Sequence, residues 1–177
     1  MTPLSKLFAV AVLVCGLTLS FAYSGRTQTF LSGAPIDGVR CDRAEGTKLH
    51  IHQHLLLYNR GSQVTVPSLI GIPPAADCFY WIHTHNDDGI IHVESPMVKT
   101  FTLGQFFDIW GEPLNSAAAA TVRARAGRTL KVWVNSRAFP ERNLRSLSLR
   151  NKTDIVIMSG PPFKRLPPLT NWKALSM

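Results

Sequence analysis

A β-rich α+β domain is the fold class this sequence predicts: a mainly antiparallel sheet, as a sandwich or partly closed barrel, with one short amphipathic helix packed on it. Three observations carry the prediction. Alternating or β-branched stretches recur between turn signals. A single well-formed stretch changes to a helical period. Helical segments are therefore too few for the crossovers of a parallel α/β sheet.

The first strand is read from Leu49 to Asn59, where the chain turns apolar and histidine-rich. Asn59-Arg60-Gly61-Ser62 carries the residues of a tight hairpin turn, and Val64-Thr65-Val66 supplies a β-branched return. "GIPPAADC" is loop. "FYWIHTH" and "IIHVE" read as two strands joined at the turn signal "NDDG". "TLKVWVN" is a further strand, with Asn135-Ser136 in a turn, and "LRSLSL" and "DIVIMS" are expected to be strands as well. "SAAAATVRARAG" is ambiguous between a loose helical turn and an irregular link.

The helix lies in "TFTLGQFFDIWG". Thr102 and Gln105 have the spacing of a capping box, and Phe101 and Phe106 that of a hydrophobic staple. Leu103, Phe106, Phe107 and Trp110 form one apolar stripe, and Gly111 stands where a C-terminal cap belongs.

One domain suffices for 177 residues. Residues 1–22 read as a signal peptide or a retained N-terminal membrane anchor. After Lys6, "LFAVAVLVCGLTLSFA" runs sixteen residues without a charge and ends in Ser20-Phe21-Ala22, whose Ser20 and Ala22 are small residues where a signal peptidase requires them. The run is slightly short of the ~20 residues that cross a bilayer. Both readings put the remainder outside the cytoplasm. Residues 23–48, with Gly33, Pro35 and Gly38 as breakers, read as linker or loop. Residues 49–160 read as the globular histidine-rich domain, and 161–177 as a proline-rich extended tail.

Cysteine usage agrees with an exported chain. Beyond Cys15 in the export segment, Cys41 and Cys78 make an even pair. Bridging them would stabilise the fold by ~3 kcal/mol on a chain-entropy argument. The bridge would also tie together the stretches that precede the two histidine patches.

Charge is split along the chain. Residues 23–120 carry a net of −3, and residues 121–177 a net of +10. A basic half of this kind suits an anionic membrane surface or envelope polymer, or simply forms a solvated face. No nucleic-acid motif is present, so nucleic acid is not an expected partner.

All six histidines fall in two patches, "HIHQH" at 50–54 and "HTHNDDGIIH" at 83–92. Strand side chains alternate sides, so His50, His52 and His54 share one face. A turn at Asp87-Asp88 sets His83 opposite His92, whereas a turn at Asp88-Gly89 sets His85 opposite His92. Both registers put His83, His85 and His92 on one face, with Glu94 beside them. Cross-strand neighbours stand roughly 4.5–5.5 Å apart at Cβ, which lets imidazoles converge on one ion. Zinc and copper both suit imidazole. His83, His85 and His92 are the first-choice ligands; His52 and His54 complete them or join His50 in a second site. Glu94, Asp87 and Asp88 are candidates for a fourth ligand, a general base or an orienting group. A hydrogen-bonded polar core and a pH-sensing surface are the metal-free alternatives.

"HIHQHLLLYNRGSQVTVPSLIGI", "CFYWIHTHNDDGIIHVESP" and "FTLGQFFDIWGEPL" resemble blocks shared by a family of exported or membrane-anchored bacterial proteins with no established activity, cofactor or partner. The resemblance covers roughly residues 49–114 and continues more weakly at "VWVN". It implies a bacterial, extracytoplasmic protein whose histidine-rich blocks occur together. The arginine-rich "RAFPERNLRSLSLRNK" departs from the family's acid- and glycine-rich C-terminal strand pair.

Three functions are therefore expected to compete. One is a metal-binding protein of the cell envelope holding zinc or copper, favoured because six histidines exceed the needs of one catalytic ion. The second is a zinc-dependent hydrolase or lyase with Glu94 or Asp87 as base. The third is an envelope-tethered interaction module whose basic half grips an anionic partner.

Overall fold

A computed structural model describes residues 33–163 and 165–175 of the chain. The predicted export segment and the first part of the predicted linker lie outside the described residues. Among the described residues, no helix is long and apolar enough to cross a membrane.

In chain order the elements are β1 (Cys41–Asp42), β2 (Leu49–Asn59), β3 (Ser62–Val64), β4 (Phe79–Tyr80), β5 (Ile82–His83), β6 (Ile90–Ser95), α1 (Leu103–Trp110), β7 (Ala118–Ala119), β8 (Val122–Arg123), β9 (Lys131–Val134), β10 (Arg137–Ala138), a 3₁₀ turn (Glu141–Ser146) and β11 (Thr153–Ser159). The main sheet has seven strands in the order β10-β9-β11-β2-β6-β5, with β3 also paired to β2. The β-rich α+β class is as predicted. The sheet is open, however, not a closed barrel. The other described sheets have only two strands each, β1 with β4 and β7 with β8, so no second sheet of comparable size completes a sandwich.

β2 organises the domain. It pairs in parallel with β11 along Gln53–Asn59 and antiparallel with β6 along Leu49–His54. The two partners overlap only at Gln53 and His54, so the histidine end of β2 has β6 as its one strand neighbour. On the other edge at that point the backbone is satisfied by a loop: the His52 N–H donates to Asn151 Oδ1 at 3.1 Å, and the His52 carbonyl accepts from the Lys152 N–H at 2.7 Å. The parallel pair is the exception in a mainly antiparallel sheet, and nothing local in the sequence announces a contact across about a hundred residues.

Two of the three predicted turns close tight two-residue hairpins. Asn59 pairs with Ser62, and the two residues between, Arg60 and Gly61, have φ of 50° and 85°. Val134 pairs with Arg137 around Asn135 and Ser136 at φ of 48° and 63°. Two consecutive left-handed residues match the right-handed twist of the flanking strands, and glycine pays no steric penalty there. The helix follows its local signals. Thr102 and Gln105 make a reciprocal capping box, and Gly111 closes the C-terminus.

Other segments differ from expectation. "LRSLSL" is not one strand: it begins in the 3₁₀ turn and straightens only afterwards, where Ser148 bridges to Thr102. The alanine-rich stretch is a small hairpin whose Ala118, Ala119 and Ala120 are buried. Residues 33–48, expected as linker or loop, are mostly loop but pack against the sheet domain. Val39 is fully buried, β1 pairs with β4, and Cys41 is bonded to Cys78.

The sheet's two faces divide the labour. On one, Leu55 and Leu57 enter the main core with Ile82, Ile91, Val93 and the buried side of α1, Phe106 and Phe107. On the other, Leu56, Tyr58, Val156 and Met158 form a smaller cluster, against which Leu166 of the tail and Trp133 pack. The histidines of β2 continue that second face beyond the apolar cluster, as side-chain alternation requires.

Gln53 shares the parity of Leu55 on the main-core face. It is fully buried, and neither of its amide atoms has a hydrogen-bond partner. An unpaired buried amide costs about 1–3 kcal/mol. Gln53→Met keeps the length and removes the polar end, so it should stabilise the protein by ~1–2 kcal/mol, read as a higher urea midpoint at unchanged slope. A lower midpoint would mean that the amide is satisfied in solution.

Candidate metal centre

Three segments build the site. The histidine end of β2 contributes His50 and His52. β6 lies beside it, with His52 opposite His92 and His50 opposite Glu94. β5 follows on the far side of β6 with His83 opposite His92, the register given by a turn at Asp87-Asp88. The connection is nonetheless longer than a two-residue turn. Thr84 turns inward after β5, donates to the Pro67 carbonyl at 2.8 Å and accepts from the Ile70 N–H at 3.0 Å. That anchors residues 67–70 beneath the histidines and ends the strand early without changing its parity.

The fourth component is Glu45, in the stretch read as linker, which sequence reasoning missed. Two features bring it to the site. The Cys41–Cys78 disulfide and the β1–β4 pair hold its loop against the strand that leads into β5. Gly46 then lies directly on the end of β6: a Cβ there would stand 2.2 Å from the Ser95 carbonyl carbon and 2.3 Å from Pro96 N. Only a residue without a side chain allows that approach, and it sets Glu45 beside His83 and His85.

The ligand atoms fall into two sets, His50, His52, His92 and Glu94, and Glu45, His83, His85 and Glu94. Within each set they lie within 4.8 Å of one another. In the first, His50 Nε2 is 3.2 Å from His52 Nε2 and 3.1 Å from Glu94 Oε1, and His92 Nδ1 is 3.6 Å from the same oxygen. In the second, His83 Nε2 is 3.2 Å from His85 Nε2, and Glu45 Oε1 is 3.7 Å and 3.5 Å from those two nitrogens. Four ligands at ~2.0–2.1 Å around a tetrahedral ion stand about 3.3–3.4 Å apart. The observed separations bracket that value. The clustered His and Glu side chains are close enough to hold a metal ion.

Two details show the nitrogens presented for ligation. The His83 Nδ1–H donates to the Tyr80 carbonyl at 2.8 Å. In the neutral ring this fixes the tautomer and leaves the Nε2 lone pair facing His85 and Glu45, the usual way a ligating imidazole is oriented. His92 Nδ1 is buried and has no hydrogen-bond partner. An unpaired nitrogen inside such a cluster has the chemistry of a metal ligand.

Electrostatics keep the rings ready. Burial pushes His83 down to about 4, and the positive field of His85 and His50 adds to this, against the Tyr80 hydrogen bond and Glu45. Burial also depresses His92, to about 3, helped by His52, His85, His83 and His50. His52 is lowered by burial, then by His50 and Lys152. All three are neutral at pH 7, the form a metal requires. Glu94 is pushed up to about 7 by burial, then by the Glu45 carboxylate and a hydrogen bond to it.

Of the predicted site residues, His50, His52, His83, His85, His92 and Glu94 come together. The first-choice grouping is redistributed: His92 joins His50 and His52 rather than His83 and His85. The His83 and His92 rings lie parallel, with centroids 5.7 Å apart and an interplanar angle of 5°, but their ligand atoms fall in different sets. His54 belongs to neither set. Its Nδ1 bonds Thr170 Oγ1 at 2.7 Å and lies 3.8 Å from Asp154 Oδ1, while Thr170 also bonds Asp154. His54 thus helps to pin the tail onto the sheet. Asp87 and Asp88 are exposed and in neither set. Asp88 instead accepts from the Ile90 N–H at 2.9 Å and shapes the loop.

The chain matches no family model, no curated protein and no solved structure. The site's own chemistry therefore carries the functional reading.

Proposed function

We propose that this is an extracytoplasmic metal-binding protein that holds zinc or copper through histidines on adjacent strands, completed by Glu94 and Glu45. The observation that carries the reading is the pair of four-residue sets whose ligand atoms lie within 4.8 Å of one another, with the buried His92 Nδ1 of the first set unpaired. Imidazole is a good ligand for both metals, and copper binds it more strongly. The Cys41–Cys78 bond supports a location outside the reducing cytosol. So do the apolar N-terminal run and the resemblance to exported bacterial proteins.

Elemental analysis of protein purified without a polyhistidine tag tests the reading. Zinc or copper should accompany the chain. His92→Ala should weaken the ion by more than the roughly 10–100-fold lost when an outer-shell partner is changed. Metal-free protein that also fails to take up either ion on titration would overturn the proposal.

A zinc-dependent hydrolase or lyase is the second reading, favoured by the site's open side. The side chains of His50, His85 and Glu45 are 55%, 37% and 38% exposed, so a substrate can reach the ions from solvent. In that reading Glu94, whose carboxyl burial pushes up to about 7, would serve as the general base toward a water that the ion activates. Asp87 drops out, being outside the cluster. Zinc-dependent hydrolysis of ester or amide substrates that is lost in Glu94→Gln while zinc is retained would select this reading.

A further inference from the structure

We infer that the cluster is a dinuclear centre in which the Glu94 carboxylate bridges two transition-metal ions, one on His50, His52 and His92 and the other on Glu45, His83 and His85. The inference rests on the reading that the cluster binds metal, and adds ion number and connectivity.

Glu94 is the only residue common to the two sets. Seven side chains are too many for one zinc or copper ion, which takes about four such ligands. Divided in two, each set has three ligands of its own and needs a fourth. A carboxylate has two oxygens and about four lone-pair sites, so it can serve both. Glu94 Oε1 already faces His50 and His92, which leaves its second oxygen for the other ion.

His83 and His92 fall in different sets, so each can meet a separate ion. Paired ions in bridged centres lie ~3.5–4 Å apart. Two acidic ligands within a histidine cage reduce the repulsion between the cations. Glu94 is buried and Glu45 more exposed, so the bridge lies inside and the terminal carboxylate at the rim.

The test uses untagged protein stripped with a chelator and dialysed against zinc. Two ions per chain are expected. The pair His50→Ala and His52→Ala should leave one, and so should the pair Glu45→Ala and His85→Ala, which changes only partly exposed residues. Far-UV circular dichroism checks that each variant is folded. Loading with copper should give the half-field electron paramagnetic resonance signal of a coupled pair, and Glu94→Gln should abolish it. One ion per chain would overturn the pair and leave the metal-binding reading intact. Two magnetically isolated coppers would overturn the bridge. No bound ion would remove both.

Discussion

Replacing Cys41 and Cys78 together by Ser should lower the unfolding free energy by roughly 3–4 kcal/mol. The bond closes a loop over a sequence separation of 37, and its effect on the unfolded chain follows from that length. The fold gives the bond a local role too. The strand pair it reinforces, β1 with β4, has only two residues on each side. Trp81 Nε1–H donates to Asp42 at 2.8 Å, and the Trp81 N–H donates to the Arg40 carbonyl at 3.2 Å, but these contacts do not tie residues 43–46 down. Loss of the bond should therefore loosen Glu45 before it disturbs β2 and β6. The double variant should show its lower urea midpoint together with weaker binding of the ion on Glu45, His83 and His85. The ion on His50, His52 and His92 should be less affected. A midpoint within ~1 kcal/mol of the wild type would mean that the loop is held by other contacts.

What the sequence disclosed was what short-range rules govern. The helix was legible because its cap, staple and terminating glycine lie within eleven residues, 101–111. The two hairpin turns were legible for the same reason. Alternation alone placed His50 and His52 on one face and His83, His85 and His92 on one face, and a one-residue slip would have reversed every side. The parallel pairing of β2 with β11 was not legible, because residues 53 and 153 meet only through tertiary packing. Glu45 was hidden for a related reason: its place depends on a disulfide and on Gly46 lying against Ser95 and Pro96, and neither leaves a periodic signature. The 3₁₀ turn was a local signal misread. Leu144 and Leu147 are three apart, a turn spacing, whereas Leu147 and Leu149 are two apart, a strand spacing, and all three are buried. His54 followed the parity rule and still left the cluster, because Asp154 and Thr170 gave it other partners. Side-chain alternation fixes a face but not a position along it.

The metal-free protein should lose stability as the pH falls below about 6.5, before most carboxylates titrate. The cause is the set of histidines folded in neutral form. His83 and His92 sit at about 4 and about 3 in the folded state, against 6.5 when unfolded. Below 6.5 the unfolded chain binds protons that the folded chain refuses. Their contribution is thus complete above 6.5 and lost as the pH drops through about 4 and about 3. For His83 alone the full loss is on the order of 3 kcal/mol at 1.36 kcal/mol per pKa unit. His52 acts in the same direction. Glu94 opposes them. Its carboxyl is raised from 4.5 to about 7, so the folded state keeps a proton that the unfolded state has released. That contribution is present below 4.5 and lost as the pH rises through about 7. Between 6.5 and 4.5 two to three histidines work against one glutamate, so the histidines prevail and the net slope is destabilising toward acid. Below 4.5 the glutamate no longer offsets them, but His83 and then His92 take up protons in the folded state as well, so the slope fades as the pH falls through about 4 and about 3. Urea unfolding in chelator at pH 7, 5.5 and 4.5 should show the midpoint falling at each step, and single His83→Gln or His92→Gln variants should flatten the curve. A midpoint constant from pH 7 to 4.5 would mean that the histidines are solvated and charged in the folded protein, contrary to the buried cluster. With metal bound at pH 7 the midpoint should rise with free ion concentration, and that gain should vanish over the same acid range as protons compete for the imidazole nitrogens.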